Sequence, residues 1–141
     1  MTHDPVRATA RAVGTATPAS LRRAWMTLGW LGVCAVAWYS LIPDPPQLDM
    51  KQGDKLQHLV AYGGLMGWFS QIRLGIGERR LTAAWLVLMG VTLELAQSFT
   101  GYRHLAADDM LANTAGVVLG WLLSPPRVPD LPRRLTAIRR R

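Results

Sequence analysis

The sequence predicts an all-α integral membrane protein: a bundle of four transmembrane helices with both termini in the cytoplasm. Three observations carry that expectation. Charged residues are excluded from long apolar runs, those runs have membrane-crossing lengths, and basic residues collect on alternate sides of them. Of the 141 residues, half are apolar and only 18% are charged. Residues 24–43 and 81–93 contain no charge, and between 56 and 72 the ionisable groups are His58 and Tyr62 alone. A soluble amphipathic helix needs a polar stripe, and these runs lack one.

The first predicted span, 24–42, would extend roughly 28 Å at the helical rise, close to the thickness of a hydrocarbon core. Pro43, Pro45 and Pro46 close it. The second, 56–72, lies at the short end of the spanning range, and the third is 81–99. The fourth, 105–123, reaches full length only by taking in Asp108 and Asp109 at its start, and Pro125 and Pro126 stop it. The chain therefore divides into a basic N-terminal tail (1–23), a transmembrane domain (24–124) and a basic C-terminal tail (125–141).

Positive charge sets the orientation. Of 16 basic residues, 13 fall in the two tails and the loop between the second and third spans. The opposite side holds Lys51, Lys55 and Arg103 beside Asp44, Asp49, Asp54, Asp108 and Asp109. Cytoplasmic loops carry the excess of arginine, so both tails belong inside. The first run also has features of a cleaved signal peptide, with Arg22 and Arg23 before it and Ala35-Val36-Ala37 within it. The long preceding tail and the continuation "WYSLI" argue for retention. The tail "RRLTAIRRR" has no interleaved aromatics, so anionic lipid rather than nucleic acid is its expected partner. The single cysteine, Cys34, excludes an intramolecular disulfide and a thiolate metal cluster.

Polar residues inside these runs are costly and need a partner or a purpose. With the orientation above, His58 lies one turn below Asp54 and Lys55, Glu94 lies roughly 8 Å below the outer end of its helix, and Asn113 lies one turn below Asp109. Three helices thus bring polar side chains to one depth, the outer third of the membrane. His58 and Tyr62 are four residues apart, as are Asp109 and Asn113, and Glu94 and Gln97 are three apart. Each pair shares a helix face. Gly63-x-x-x-Gly67 and Gly116-x-x-x-Gly120 are patterns that let helix backbones approach closely. His58, Lys55 and Arg103 are the candidate partners of Glu94.

The segments "DKLQHLVAY" (Asp54, Lys55, His58, Tyr62), "ELAQ" (Glu94, Gln97), Arg103 and "DDMLANTAG" (Asp109, Asn113, Gly116) resemble the VanZ-like family. Its pattern joins D-K-x-x-H to a later E-x-x-Q, an arginine and D-x-x-x-N-x-x-G. The match covers about half of the chain. One departure is Ala106, where many relatives carry a polar residue. The resemblance implies a small, multi-pass protein of the bacterial inner membrane. The family is named for a protein giving low-level resistance to teicoplanin, and the resemblance brings no mechanism with it.

Two function classes follow, with a third reading beside them. The first is a binding protein in which Asp54, Lys55, His58, Tyr62, Glu94, Gln97, Arg103, Asp109 and Asn113 hold an envelope lipid, a lipid-linked cell-wall precursor or a lipoglycopeptide. The second is a membrane enzyme acting on a lipid-linked cell-wall intermediate, with Glu94 as general base and His58 as acid. The third is purely structural, the polar residues being interhelical bonds worth about 0.6 to 2 kcal/mol each. No cofactor is expected. A metal held by His58, Glu94 and Asp109 is disfavoured by the single histidine. No Walker loop, dinucleotide fingerprint or nucleophile elbow occurs.

Overall fold

A computed structural model describes residues 17–46, 52–73, 75–101 and 105–138. Among them are five helices and no strand. These are α1 (Ala19–Leu41), α2 (Gly53–Ser70), α3 (Ile76–Ser98), α4 (Ala107–Leu122) and α5 (Leu131–Ile138). Each apolar run is a helix. Its ends differ from expectation by a turn or less at most boundaries. The larger shifts, five residues each, are at the starts of α1, which begins at Ala19 and takes in Arg22 and Arg23, and of α3, which begins at Ile76 and takes in Glu78, Arg79 and Arg80.

Length separates the helices into two kinds. Helices α1 and α3, each 23 residues, are long and apolar enough to cross a membrane. Helix α2 has 18 residues and α4 has 16, roughly 27 and 24 Å of rise. Asp54 and Lys55 open α2, and Asp108 and Asp109 open α4. So two of the four expected spans meet the requirement by length and composition alone.

The four long helices run antiparallel in sequence order, as ties at each end show. At one end the indole N–H of Trp25 donates to the carbonyl of Trp68 at 3.1 Å, and that of Trp68 returns to the carbonyl of Trp25 at 2.9 Å. The two rings stack at 4.1 Å between centroids. Arg79 closes the same end. It is buried and donates to the carbonyl oxygens of Arg73 (2.9 Å), Ser70 (3.4 Å) and Pro125, and to Ser124 Oγ at 3.4 Å. One guanidinium thereby satisfies carbonyls freed at the ends of α2 and α4. At the other end Gln97 Nε2 donates to the Ser40 carbonyl at 2.6 Å, tying α3 to α1.

Glycine sets the closest approach, between α2 and α4. A Cβ on Gly116 would collide with the Leu59 carbonyl, and one on Gly120 with the Gly63 carbonyl. A Cβ on Gly63 would stand 3.1 Å from Gly116 O, whereas one on Gly67 would meet Gly120 O only at 4.0 Å. Around this seam Val33, Tyr62, Leu65, Met66, Phe69, Leu86 and Val117 form the buried core. Large apolar side chains also face outward: Leu28, Leu88, Leu111 and Val118 are all more than half exposed. Such a surface suits hydrocarbon rather than water.

Helix α5 was not anticipated within the C-terminal tail. Asp130 Oδ1 accepts the Arg133 amide hydrogen at 3.1 Å, an N-cap, and the Leu131 amide donates to Gln71 Oε1 at 2.9 Å. The short helix is therefore docked to the end of α2.

Candidate functional site

The polar residues of α2, α3 and α4 do meet at one end of the bundle. His58 lies at the centre. Its Nδ1 is 3.0 Å from Asn113 Oδ1, an oxygen that can only accept, so Nδ1–H donates. Nε2 faces Asp109 Oδ2 at 3.7 Å. The four-residue spacings on α2 and α4 produce this alignment, because Asp109 and Asn113 present one face and His58 reaches both. Asp109 and Asn113 are both buried. The second oxygen, Asp109 Oδ1, is also buried and has no hydrogen-bond partner among the described residues.

The rim is charged. Lys55 Nζ lies 2.9 Å from Asp108 Oδ2 and 3.7 Å from Asp54 Oδ2. The shorter of these contacts is a hydrogen bond that the Lys55 ammonium donates to Asp108. Lys55 is thus already bridged to carboxylates, and Asp108, absent from the predicted site residues, is its main partner.

Glu94 is 2% exposed and accepts the backbone amide hydrogen of Ala106 at 2.9 Å. Ala106 is the extended residue immediately before α4 (φ −114°, ψ 103°). The carboxylate of α3 therefore fixes the entry to α4, and the departure from the family pattern at Ala106 costs nothing here because the bond uses the main chain. Gln97, one turn on, is equally buried and spent on Ser40. Tyr62 is 1% exposed and one turn deeper than His58. Arg103, a predicted binding residue, lies outside the described residues, so the geometry speaks only of the other eight.

Gly90 belongs to the site and carries no motif. A Cβ there would stand 3.0 Å from Asn113 Nδ2 and 3.3 Å from the Tyr62 ring. Its missing side chain is the space those two residues occupy. A lone glycine in an apolar helix gives little signal beyond its cost to helix formation.

Beside the cluster, between α1 and α2, lies a cavity of about 490 Å³. Ala35, Val36, Val60 and Ala61 give it apolar walls, while Asp54, His58, Tyr62 and Gln97 reach its lining from the polar cluster. Among the described residues, no group of three or more histidine, cysteine, aspartate or glutamate side chains is placed to hold a metal ion.

The family model for VanZ/LLP1 matches residues 12–127. The chain belongs to that family. The match takes in every predicted site residue and all four long helices, and together with α1 and α3 it makes this a VanZ-like membrane protein. No curated protein and no solved structure matches the chain.

Proposed function

We propose that the polar end of this VanZ-like protein binds an envelope amphiphile, and that its role in the cell envelope, including resistance to teicoplanin-type glycopeptides, follows from that binding. One observation carries the reading: the polar cluster and the 490 Å³ apolar cavity share His58, Asp54, Tyr62 and Gln97. A site that is polar at one end and apolar along its length suits a ligand with a polar head and a hydrocarbon chain. The unpartnered Asp109 oxygen calls for a donor, and a buried acceptor left unmatched costs about 1–3 kcal/mol. Amide N–H and sugar hydroxyl groups are such donors. The head of a lipid-linked cell-wall precursor or of a lipoglycopeptide offers both.

In this reading all four long helices cross the bacterial inner membrane, both termini are cytoplasmic and the cluster opens outward. The supporting facts are the antiparallel order of the helices and the sequence position of 13 of 16 basic residues, in the two tails and the segment between α2 and α3. The shorter α2 and α4 pack against each other, and local thinning of the bilayer accommodates them at modest cost.

A second reading, an enzyme acting on a lipid-linked intermediate, is favoured by the imidazole of His58 beside a carboxylate. The carboxylate facing Nε2 is that of Asp109 rather than the expected Glu94, so Asp109 would tune the acid or base. Native mass spectrometry of the purified protein with its co-purifying lipids tests the primary reading. A retained polyprenyl-phosphate species, or added teicoplanin bound at one equivalent, is the expected result. Bulk phospholipid alone, with no teicoplanin adduct, would overturn it, and a chemically altered lipid would favour the enzyme.

A further inference from the structure

The basic end of the bundle has a cavity of its own, separate from the polar cluster. It occupies about 870 Å³ between α1 and α3. Arg22 and Arg23 stand at its mouth from the first turns of α1, and Arg73 joins them from the segment after α2. Trp30, Leu31 and Cys34 continue the lining along α1. A smaller cavity of about 270 Å³ shares Trp30 and Arg73 with it and extends the groove toward Trp85 of α3.

The arginines are not used elsewhere. Among the described residues, none of their guanidinium groups makes an ion pair or a hydrogen bond, and Arg73 has only the Phe69 ring, 5.9 Å from its centroid. This contrasts with Arg79 nearby, whose donors are all committed to carbonyls and a hydroxyl. The one acid on the lining is Glu78, so the mouth stays net positive. The polarity also has a direction: from Arg22 to Cys34 the groove runs roughly 18 Å along the helix, charged at the start and apolar thereafter.

We infer that this groove binds an anionic phospholipid of the adjoining leaflet. Its phosphate is held between Arg22, Arg23 and Arg73, and an acyl chain lies over Trp30 and Leu31 as far as Cys34. Guanidinium groups suit phosphate because their planar forks donate to two oxygens at once. The apolar length selects a lipid over free phosphate, which would use only the mouth. The inference stands apart from the reading of the polar end, since the two sites share no residue.

The chain's single cysteine supplies the probe, because Cys34 is exposed and lines the groove. Full-length protein labelled there with bimane would be titrated in mixed micelles with phosphatidylglycerol or phosphatidylcholine, each carrying brominated chains. Phosphatidylglycerol should quench at a mole fraction about tenfold lower, as expected where several arginines meet an anionic headgroup. The combined change Arg22→Gln, Arg23→Gln and Arg73→Gln should erase that difference, while Arg133→Gln with Arg134→Gln on α5 should preserve it. Equal quenching of the unaltered protein by the two lipids would overturn the inference, with no need for a folded variant. So would an equal loss in the α5 control, which would mean bulk attraction only. Relief of quenching by millimolar inorganic phosphate at constant ionic strength would show a free-anion site instead.

Discussion

The carboxylate of Glu94 accepts the amide hydrogen of Ala106 at 2.9 Å, so that a charge deep in one helix secures the first residue before the next. That bond alone does not require a charge. Glutamine presents the same oxygen to the amide and loses only the charge and the titratable proton. Because that tie between α3 and α4 survives, Glu94→Gln should still fold, read as a cooperative melt in detergent. If the polar end is a working site, survival under teicoplanin or a related envelope stress should nonetheless fall to that of the null strain. Full activity of the variant would remove Glu94 from any essential electrostatic role.

The seam between α2 and α4 can be tested by single methyl groups. Gly120→Ala places a Cβ against the Gly63 carbonyl, which cannot swing away as a side chain could. The helices must separate, at a cost of about 1–3 kcal/mol. Gly64→Ala is the matched control, because nothing lies within 4 Å of the Cβ it adds. Its melting temperature should be unchanged or slightly raised, alanine being the better helix former. Equal destabilisation by both would mean that α2 and α4 do not pack as described.

Arg79 should tolerate no substitute. Lysine keeps the charge but replaces the fork by a point donor, so it cannot reach the Arg73, Ser70 and Pro125 carbonyls together. Arg79→Lys should cost about 1.5–3 kcal/mol, the range for one hydrogen bond to a charged group, read as a lower melting temperature. Leu81→Ala, two positions on but exposed, should cost far less.

Much of this arrangement was legible in the sequence because helical rise and charge placement are rigid constraints. Knowing that α2 starts, α3 ends and α4 starts at one end puts His58, Glu94 and Asn113 at a common depth. Two of the ties were not legible. The bond of Glu94 to the Ala106 amide uses the main chain, which every residue but proline offers and no side-chain pattern marks. Lys55 goes to Asp108 rather than inward, because its long stem reaches the first turn of α4. Helix α5 did have a signal, Asp130 before Leu131-Pro132, the order of a capping residue and a proline in the first turn. It was masked by reading the arginines that follow as a basic tail against anionic lipid. Arg79 was counted as one more inside charge, although its burial makes it a structural clamp.

Orientation has a direct measurement. Alkaline phosphatase fused after Pro125 should be inactive and a green fluorescent reporter there bright, since both termini are assigned to the cytoplasm. A fusion at Asp44 should show the reverse. A bright reporter at both positions would contradict three crossings between them, and a periplasmic C-terminus would put the polar cluster on the wrong side for an envelope ligand.

Gly90 offers the sharpest separation of scaffold from site. Gly90→Ala adds a methyl 3.0 Å from Asn113 Nδ2, 3.3 Å from its Cβ and 3.3 Å from the Tyr62 ring. Tyr62 is locked in the core, so Asn113 must give way by a few tenths of an ångström. That shift lengthens its 3.0 Å bond with His58 Nδ1 and loosens the ring that faces Asp109. Alanine's better helix propensity, about 0.8–1 kcal/mol, offsets part of the strain, so the melting temperature should fall little. Ligand retention should fall by roughly tenfold, the equivalent of one hydrogen bond of about 1.4 kcal/mol. Asn113→Ala removes the same bond directly. In a double-mutant cycle the two changes should be far from additive, because Gly90→Ala has nothing left to displace once Asn113 is gone. Additive losses would show that Gly90 acts through general packing, and no loss of binding in either variant would detach the His58–Asn113 pair from the function of this end.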